Sequence, residues 1–184
     1  NLAQIYAEQG RLDDAAALVK EIAEKIDGKN GVKAQAFELC KSREGRATPA
    51  LKLLPPPSTD GRKLRGMFIC ARQHAWESGG SWVGRGFADF LASDDAAAVA
   101  LRKNAIVYFV PIMDIDNVSI GAGGKNEEPH DHNRDWSDNP VFPAVAAAQR
   151  IILDLHNAGT FDLFVDLHNP AANNPKPFFF VSED

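Results

Sequence analysis

Cysteine is scarce in this chain. Cys40 and Cys70 are the only two, too few for the disulfide framework of a small secreted domain. Both lie in apolar runs and read as buried free thiols. That leans toward a reducing compartment, so the cytoplasm is slightly favoured, with a missing N-terminal leader left open. No apolar run approaches the ~20 residues of a membrane-spanning helix. Positive charge is also short: 20 Lys and Arg face 25 Asp and Glu, for a net charge of −5. This argues against nucleic acid as a partner, since that surface needs a basic stripe. An initiator is missing as well. The chain starts at Asn1, and the natural protein is expected to begin earlier.

What is present is an ordinary globular composition, 45% apolar and 24% charged, in a chain long enough for one domain with a substantial core. We expect residues 1–184 to form a single domain, with 1–28 as its leading helix. Leu12, Ala15, Ala16, Val19, Ile22, Ala23 and Ile26 recur at helical spacing, which predicts a helix from about Asp13 to Lys25. The residues before it faintly resemble one tetratricopeptide repeat, but a single copy cannot bury its own face. Apolar runs at 37–40 and 50–54 flank Ser42-Arg43-Glu44-Gly45-Arg46, a hairpin pattern. Residues 55–61 form a stiff, proline-rich surface loop. Strands predicted at 66–72, 105–113, 161–168 and 177–181 alternate with helices that carry Trp82 to Leu91, follow Ser93-Asp94-Asp95 as far as Arg102-Lys103, and span 143–156. Near-continuous apolar strands alternating with helices give an α/β fold: a mixed, mostly parallel sheet with helices on both faces.

In such sheets chemistry collects where strand ends open into loops. His74 and Glu77 follow the strand at 66–72, three apart and able to turn toward one point. One imidazole nitrogen and one carboxylate make two thirds of a His2Glu zinc site, although most such pairs alone are a surface salt bridge or chance. A long polar loop after the strand at 105–113 carries Asp131-His132-Asn133-Arg134-Asp135-Trp136, and loops of that length are uncommon unless they are functional. His168 ends a third strand. Asp166 shares its strand face and either orients His168 from behind or is a buried, hydrogen-bonded acid. His130 and His132, among acidic neighbours, read as an exposed loop edge. Trp76 and Trp82 read as core or pocket wall, and Arg72 is given no role.

Five pieces, in this order, resemble the zinc carboxypeptidases, the metallocarboxypeptidase (M14) family. Ser42-Arg43-Glu44-Gly45-Arg46 is similar to the family's S-x-E-G-R hairpin, and His74-x-x-Glu77 to its first two zinc ligands. Asp114-Ile115-Asp116-Asn117-Val118 stands, degraded, where the family has N-P-D-G. Asp131-His132-Asn133-Arg134-Asp135-Trp136 resembles D-L-N-R-N-W/Y, and Asp166-Leu167-His168 resembles the strand bearing the third ligand. The span 77–91 is most similar to the cytosolic-carboxypeptidase branch, and the resemblance covers about residues 37–182.

The resemblance implies a zinc-carboxypeptidase-like fold, incomplete on its C-terminal side. It implies Zn2+ held by His74, Glu77 and His168, with a fourth position for a water whose pKa the metal lowers to about 7. Arg134, helped by Asn133, would clamp the terminal carboxylate of a peptide or protein substrate and so fix the last peptide bond over the metal. The general-base glutamate is expected beyond Asp184, so no catalytic base is assigned within the chain. For the carbonyl-polarising arginine, either Lys125 substitutes or the role is empty. The run from Asp166 through His168 to Asn173 also resembles aspartoacylase-like amidohydrolases, which makes N-acyl amino acid hydrolysis the second reading. A zinc-binding relative without catalysis is the third.

Overall fold

Helix α1 (Leu2–Ile26) begins earlier than the periodicity alone predicts. It buries Ala15, Leu18, Val19, Ile22, Ala23 and Ile26, an i, i+3, i+4, i+7 stripe that needs a sheet to cover it. The structure, a computed structural model, describes residues 2–58, 61–169 and 176, with side chains from Asp13 onward. The strand expected at 177–181 lies outside the described residues. A hairpin follows α1, formed by β1 (Lys33–Lys41) and β2 (Ala47–Leu54). Its turn is closed by the Ser42 N–H donating to the Arg46 carbonyl at 2.8 Å. Then come β3 (Arg65–Ala71), α2 (Ser78–Ala92), α3 (Ala96–Asn104), β4 (Ala105–Val110), α4 (Ile115–Ile120), α5 (Pro143–Asn157) and β5 (Phe161–Leu167).

The sheet order is β1-β2-β4-β3-β5. β3 runs parallel to both β4 and β5, while β2 is antiparallel to β1 and β4. The sheet is therefore mixed, with two parallel and two antiparallel ladders among the described residues. Strand periodicity sorts its side chains between two layers. Leu51, Leu53, Ile69, Val107 and Phe109 pack with Val19, Ile22 and Ile26 of α1 and with Ala88 and Leu91 of α2. On the other face Ala50, Phe68, Cys70 and Val110 pack with Ala144, Val145 and Ala148 of α5. Cys70 is buried, as expected, but Cys40 is only half-buried, because it lies on the outermost strand.

Two local departures from the sequence reading have clear causes. β4 stops at Val110 because Pro111 has no N–H for the ladder. The chain nevertheless stays beside β3, with Met113 N–H on Ala71 O (2.9 Å) and Asp114 N–H on Arg72 O (3.1 Å). Within the expected loop, α4 forms because Asp114 caps it, accepting from the Asn117 backbone (3.3 Å) and side-chain amide (2.8 Å). Burial pushes the Asp114 carboxyl up to about 6 against those same bonds. Arg102, in the last turn of α3, is buried. Its guanidinium donates to the Leu91 and Ser93 carbonyls, which closes the end of α2.

Candidate active site

The ends of β3 and β5, neighbours in the sheet, bring the candidate ligands together. After β3 the chain turns at Arg72, whose φ of 60° is left-handed and unusual for a residue with a Cβ. The Arg72 guanidinium is buried and donates to Ala75 O and to Ser81 Oγ (3.2 Å). A residue given no role from sequence thus ties the loop to α2. This turn sets His74 and Glu77 facing the end of β5. One ligand atom from each of His74, Glu77 and His168 lies within 4.8 Å of the other two.

Each histidine uses its two nitrogens alike. His74 Nδ1 is 2.8 Å from Glu77 Oε1, and its Nε2 is 3.1 Å from Asp131 Oδ1. His168 Nδ1 is 2.7 Å from Glu77 Oε2, and its Nε2 is 2.5 Å from Asp166 Oδ2. Two imidazoles therefore converge on one carboxylate, and each is backed by another. Burial alone would push the Glu77 carboxyl up. The His168 hydrogen bond, the Asn169 N–H at 3.1 Å, the His168 charge and the His74 bond outweigh it and hold Glu77 at about 2. For His168, burial favours the neutral ring, but bonds to Asp166 and Glu77 and their charges raise it to about 9.

Asn133 and Arg134 sit in a 3-10 turn, His132–Arg134, that Asp131 caps by accepting the Asn133 N–H at 2.8 Å. Asn133 Nδ2 comes within 3.4 Å of His168 Nε2, so the residue expected to help the clamp lies against the third candidate ligand. Arg134 is exposed, with Nη1 3.3 Å from the Asn133 carbonyl. Lys125 is exposed as well. Gly124 holds the start of this loop against the β3 end: its φ is +87°, and a Cβ there would meet Ala75 N at 2.6 Å. Gly124→Ala combines a left-handed backbone penalty with a backbone clash, and is expected to cost roughly 3 kcal/mol in urea unfolding.

Two sequence readings are corrected here. His132 is buried rather than on an exposed edge, because its ring packs 4.5 Å from Phe142. Burial lowers it to about 4 despite the Asp135 and Asp131 charges. His130 is partly exposed and bonds Asp135 Oδ1 at 2.8 Å. Trp76, expected in the core or a pocket wall, is 58% exposed, whereas Trp82, 69% exposed and so not core, lines a cavity between α1 and α2 with Leu18 and Arg85. Three residues at the site were missed by sequence reasoning. Gln73 is fully buried and bonds Asn133 of the 3-10 turn and Asp166 of β5. Asp131 backs His74, and Asp135 holds the loop after the clamp. Both acids fell inside a recognised motif, which was the available signal; Gln73 had none beyond standing next to His74.

A family model for the zinc carboxypeptidases, peptidase M14, matches residues 20–150. The chain belongs to this family. The match includes His74, Glu77, Asn133 and Arg134. Among curated relatives, cytosolic carboxypeptidase 2 of Xenopus tropicalis is 29% identical over 140 residues, 74% of this chain and 14% of that protein. A metallo-carboxypeptidase crystal structure from Burkholderia cenocepacia is 30% identical with a TM-score of 0.67, over 84% of this chain and 40% of that one. The metallo-carboxypeptidase of Pseudomonas aeruginosa, solved with (2-guanidinoethylmercapto)succinic acid, is 26% identical with a TM-score of 0.65, over 84% and 38%. This chain therefore spans a seventh to two fifths of these three relatives. An aspartoacylase family protein from Mesorhizobium loti, at 15% identity and a TM-score of 0.52 over 75% of this chain, shares the fold. Among the described residues no helix is long and apolar enough to cross a membrane.

Proposed function

We propose that this chain provides the metal-binding and carboxylate-binding part of a zinc-dependent carboxypeptidase, which hydrolyses the C-terminal peptide bond of peptides or proteins. The observation that carries this reading is the convergence of His74, Glu77 and His168 on one point, with Asp131 and Asp166 behind the imidazoles. Two nitrogens and one oxygen suit Zn2+, and metal-ligating histidines characteristically donate their second N–H to a carboxylate. When bound, zinc supplies a Lewis acid and an activated water at neutral pH.

The chain's own residues do the remaining work. Asp131 and Asp166 fix the ring orientations of His74 and His168. Arg134 presents an exposed fork of donors, and Asn133 an amide, beside the His168 ring, where a terminal carboxylate would dock. Fixing that carboxylate selects the last peptide bond over internal ones. The general base of the complete enzyme is assigned to no residue of this chain. We also infer a cytoplasmic setting, in keeping with relatives named cytosolic.

Metal analysis of purified protein tests the site, and a substrate screen tests the reaction. About one zinc per chain is expected, lost in His74→Ala. Zinc content unchanged by that substitution removes the site. The protein extended to the length of its relatives is expected to release C-terminal amino acids from peptides. Release of acyl groups from N-acyl amino acids instead would replace the carboxypeptidase reading with the amidohydrolase one. The role of Asp166 can be read separately. Asp166→Asn keeps the size but loses the charge behind His168, and is expected to weaken zinc binding roughly 10- to 100-fold in chelator competition.

A further inference from the structure

We propose that Gln73 is a positioning residue that sets which way the Asn133 side-chain amide faces, and so presents its N–H donors to the substrate carboxylate. For what Asn133 receives, this rests on the carboxypeptidase reading above. Gln73 is fully buried, one residue before His74. Its side chain touches two other segments. Oε1 accepts the Trp136 indole N–H at 2.8 Å, while Nε2 donates to Asp166 Oδ2 at 2.5 Å and to Asn133 Oδ1 at 3.2 Å.

The donor and acceptor chemistry of these neighbours gives the network one direction. An indole N–H can only donate, and an ionised carboxylate can only accept. Gln73 must therefore turn its oxygen to Trp136 and its nitrogen to Asp166. Both N–H groups are then committed, one to Asp166 and one to Asn133. Asn133 must answer with its oxygen, which turns its own NH2 group away from Gln73 and toward the His168 side of the site. The Nε2–H of His168 goes to Asp166 at 2.5 Å. The 3.4 Å approach of Asn133 Nδ2 to that same nitrogen is thus a packing contact between two donors. It leaves the Asn133 N–H groups aimed at whatever accepts them from the pocket. With the opposite amide orientation, Asn133 would show a carbonyl oxygen to an incoming carboxylate, a repulsive contact. An amide orientation is normally ambiguous, and here three neighbours fix it.

Gln73→Met keeps the length of the side chain and removes all three bonds. Gln73→Glu keeps the acceptor for Trp136 and lacks the N–H donors. The probe is (2-guanidinoethylmercapto)succinic acid, with which the Pseudomonas relative was solved, titrated into zinc-loaded protein. Each variant is expected to raise its Kd about tenfold, the usual scale for a misdirected charge-assisted hydrogen bond. In an Asn133→Ala background the same substitutions are expected to change Kd less than about twofold, because the residue through which they act is gone. The same tenfold loss in both backgrounds would mean general loosening of the site and overturns the proposal. The Asn133 side-chain amide signals in NMR give a readout without ligand. Their NOE to the His168 ring is expected in wild type and lost in Gln73→Met, and its retention also overturns the proposal. If wild-type protein binds zinc but not the succinate, the carboxylate-clamp reading fails, and the amide signals alone decide the orientation role of Gln73.

Discussion

Changing Glu77 to glutamine is expected to lower zinc affinity roughly a thousandfold, about one ligand's share of the 10–16 kcal/mol typical of tight zinc sites. The charge matters as much as the bond. Glu77 is the point both imidazoles face, at 2.8 and 2.7 Å, and its carboxyl stays ionised down to about 2. Without metal, its negative charge helps keep a proton on His168. Burial opposes that proton, but the carboxylates of Asp166 and Glu77 outweigh burial and raise His168 to about 9. Zinc needs the neutral ring, so binding expels this proton. Below about pH 9 each unit of acidification therefore costs roughly tenfold in wild-type affinity, and above it the affinity levels off. In Glu77→Gln the ring keeps only Asp166, so the plateau is expected to begin at lower pH, at a much weaker affinity. Chelator-competition titrations from about pH 6 to 10 check both features. A wild-type affinity flat across that range would mean that His168 is already neutral and that the two-carboxylate account of its proton is wrong.

The candidate ligands could be picked out in sequence through the five-motif resemblance, since His74-x-x-Glu77 alone is more often a salt bridge or chance. Their places after two apolar runs are local facts, and the structure brings one atom from each of His74, Glu77 and His168 within 4.8 Å of the others. What stands behind them was less legible, since it depends on which strands become neighbours. The ladders of β3 with β4 and with β5 bring Gln73, Asp131 and Asp166 together from three distant stretches. Asp166 could be suspected because it shares a strand face with His168. Gln73 could not, since an amide next to a histidine has no period or motif of its own. His132 was misread for a related reason: acidic neighbours in sequence suggested water, whereas Phe142, ten residues away, covers the ring. The exposed Trp76 shows the converse, a large apolar residue whose position on the loop faces outward.

Replacing Asp135 with alanine is expected to cost roughly 3 kcal/mol of stability, a large share of the 5–15 kcal/mol a domain has. Asp135 is 2% exposed. Its Oδ1 accepts from Val141 N–H at 2.9 Å and from His130 Nε2 at 2.8 Å, and its Oδ2 accepts from Phe142 N–H at 2.7 Å. Phe142 is the N-cap residue of α5, which has no side-chain cap, and Asp135 anchors the chain entering that helix from the loop. Alanine leaves the buried Phe142 N–H without an acceptor, at a cost of about 1–3 kcal/mol, and also removes the partner of the N–H of the exposed Val141. Asp135→Asn keeps one oxygen acceptor but sets an NH2 against the other N–H, so an intermediate loss is expected. The consequence reaches the site, because the His132–Arg134 turn directly precedes Asp135. A slackened loop lets Asn133 drift from His168, whereas the candidate ligands after β3 and β5 stay near the strand ends that hold them. Urea unfolding read beside zinc titration separates the two: stability is expected to fall sharply while zinc affinity changes by less than about tenfold. A loss under about 1 kcal/mol would mean that water replaces the carboxylate, and that this loop is held by Phe142 packing rather than by Asp135.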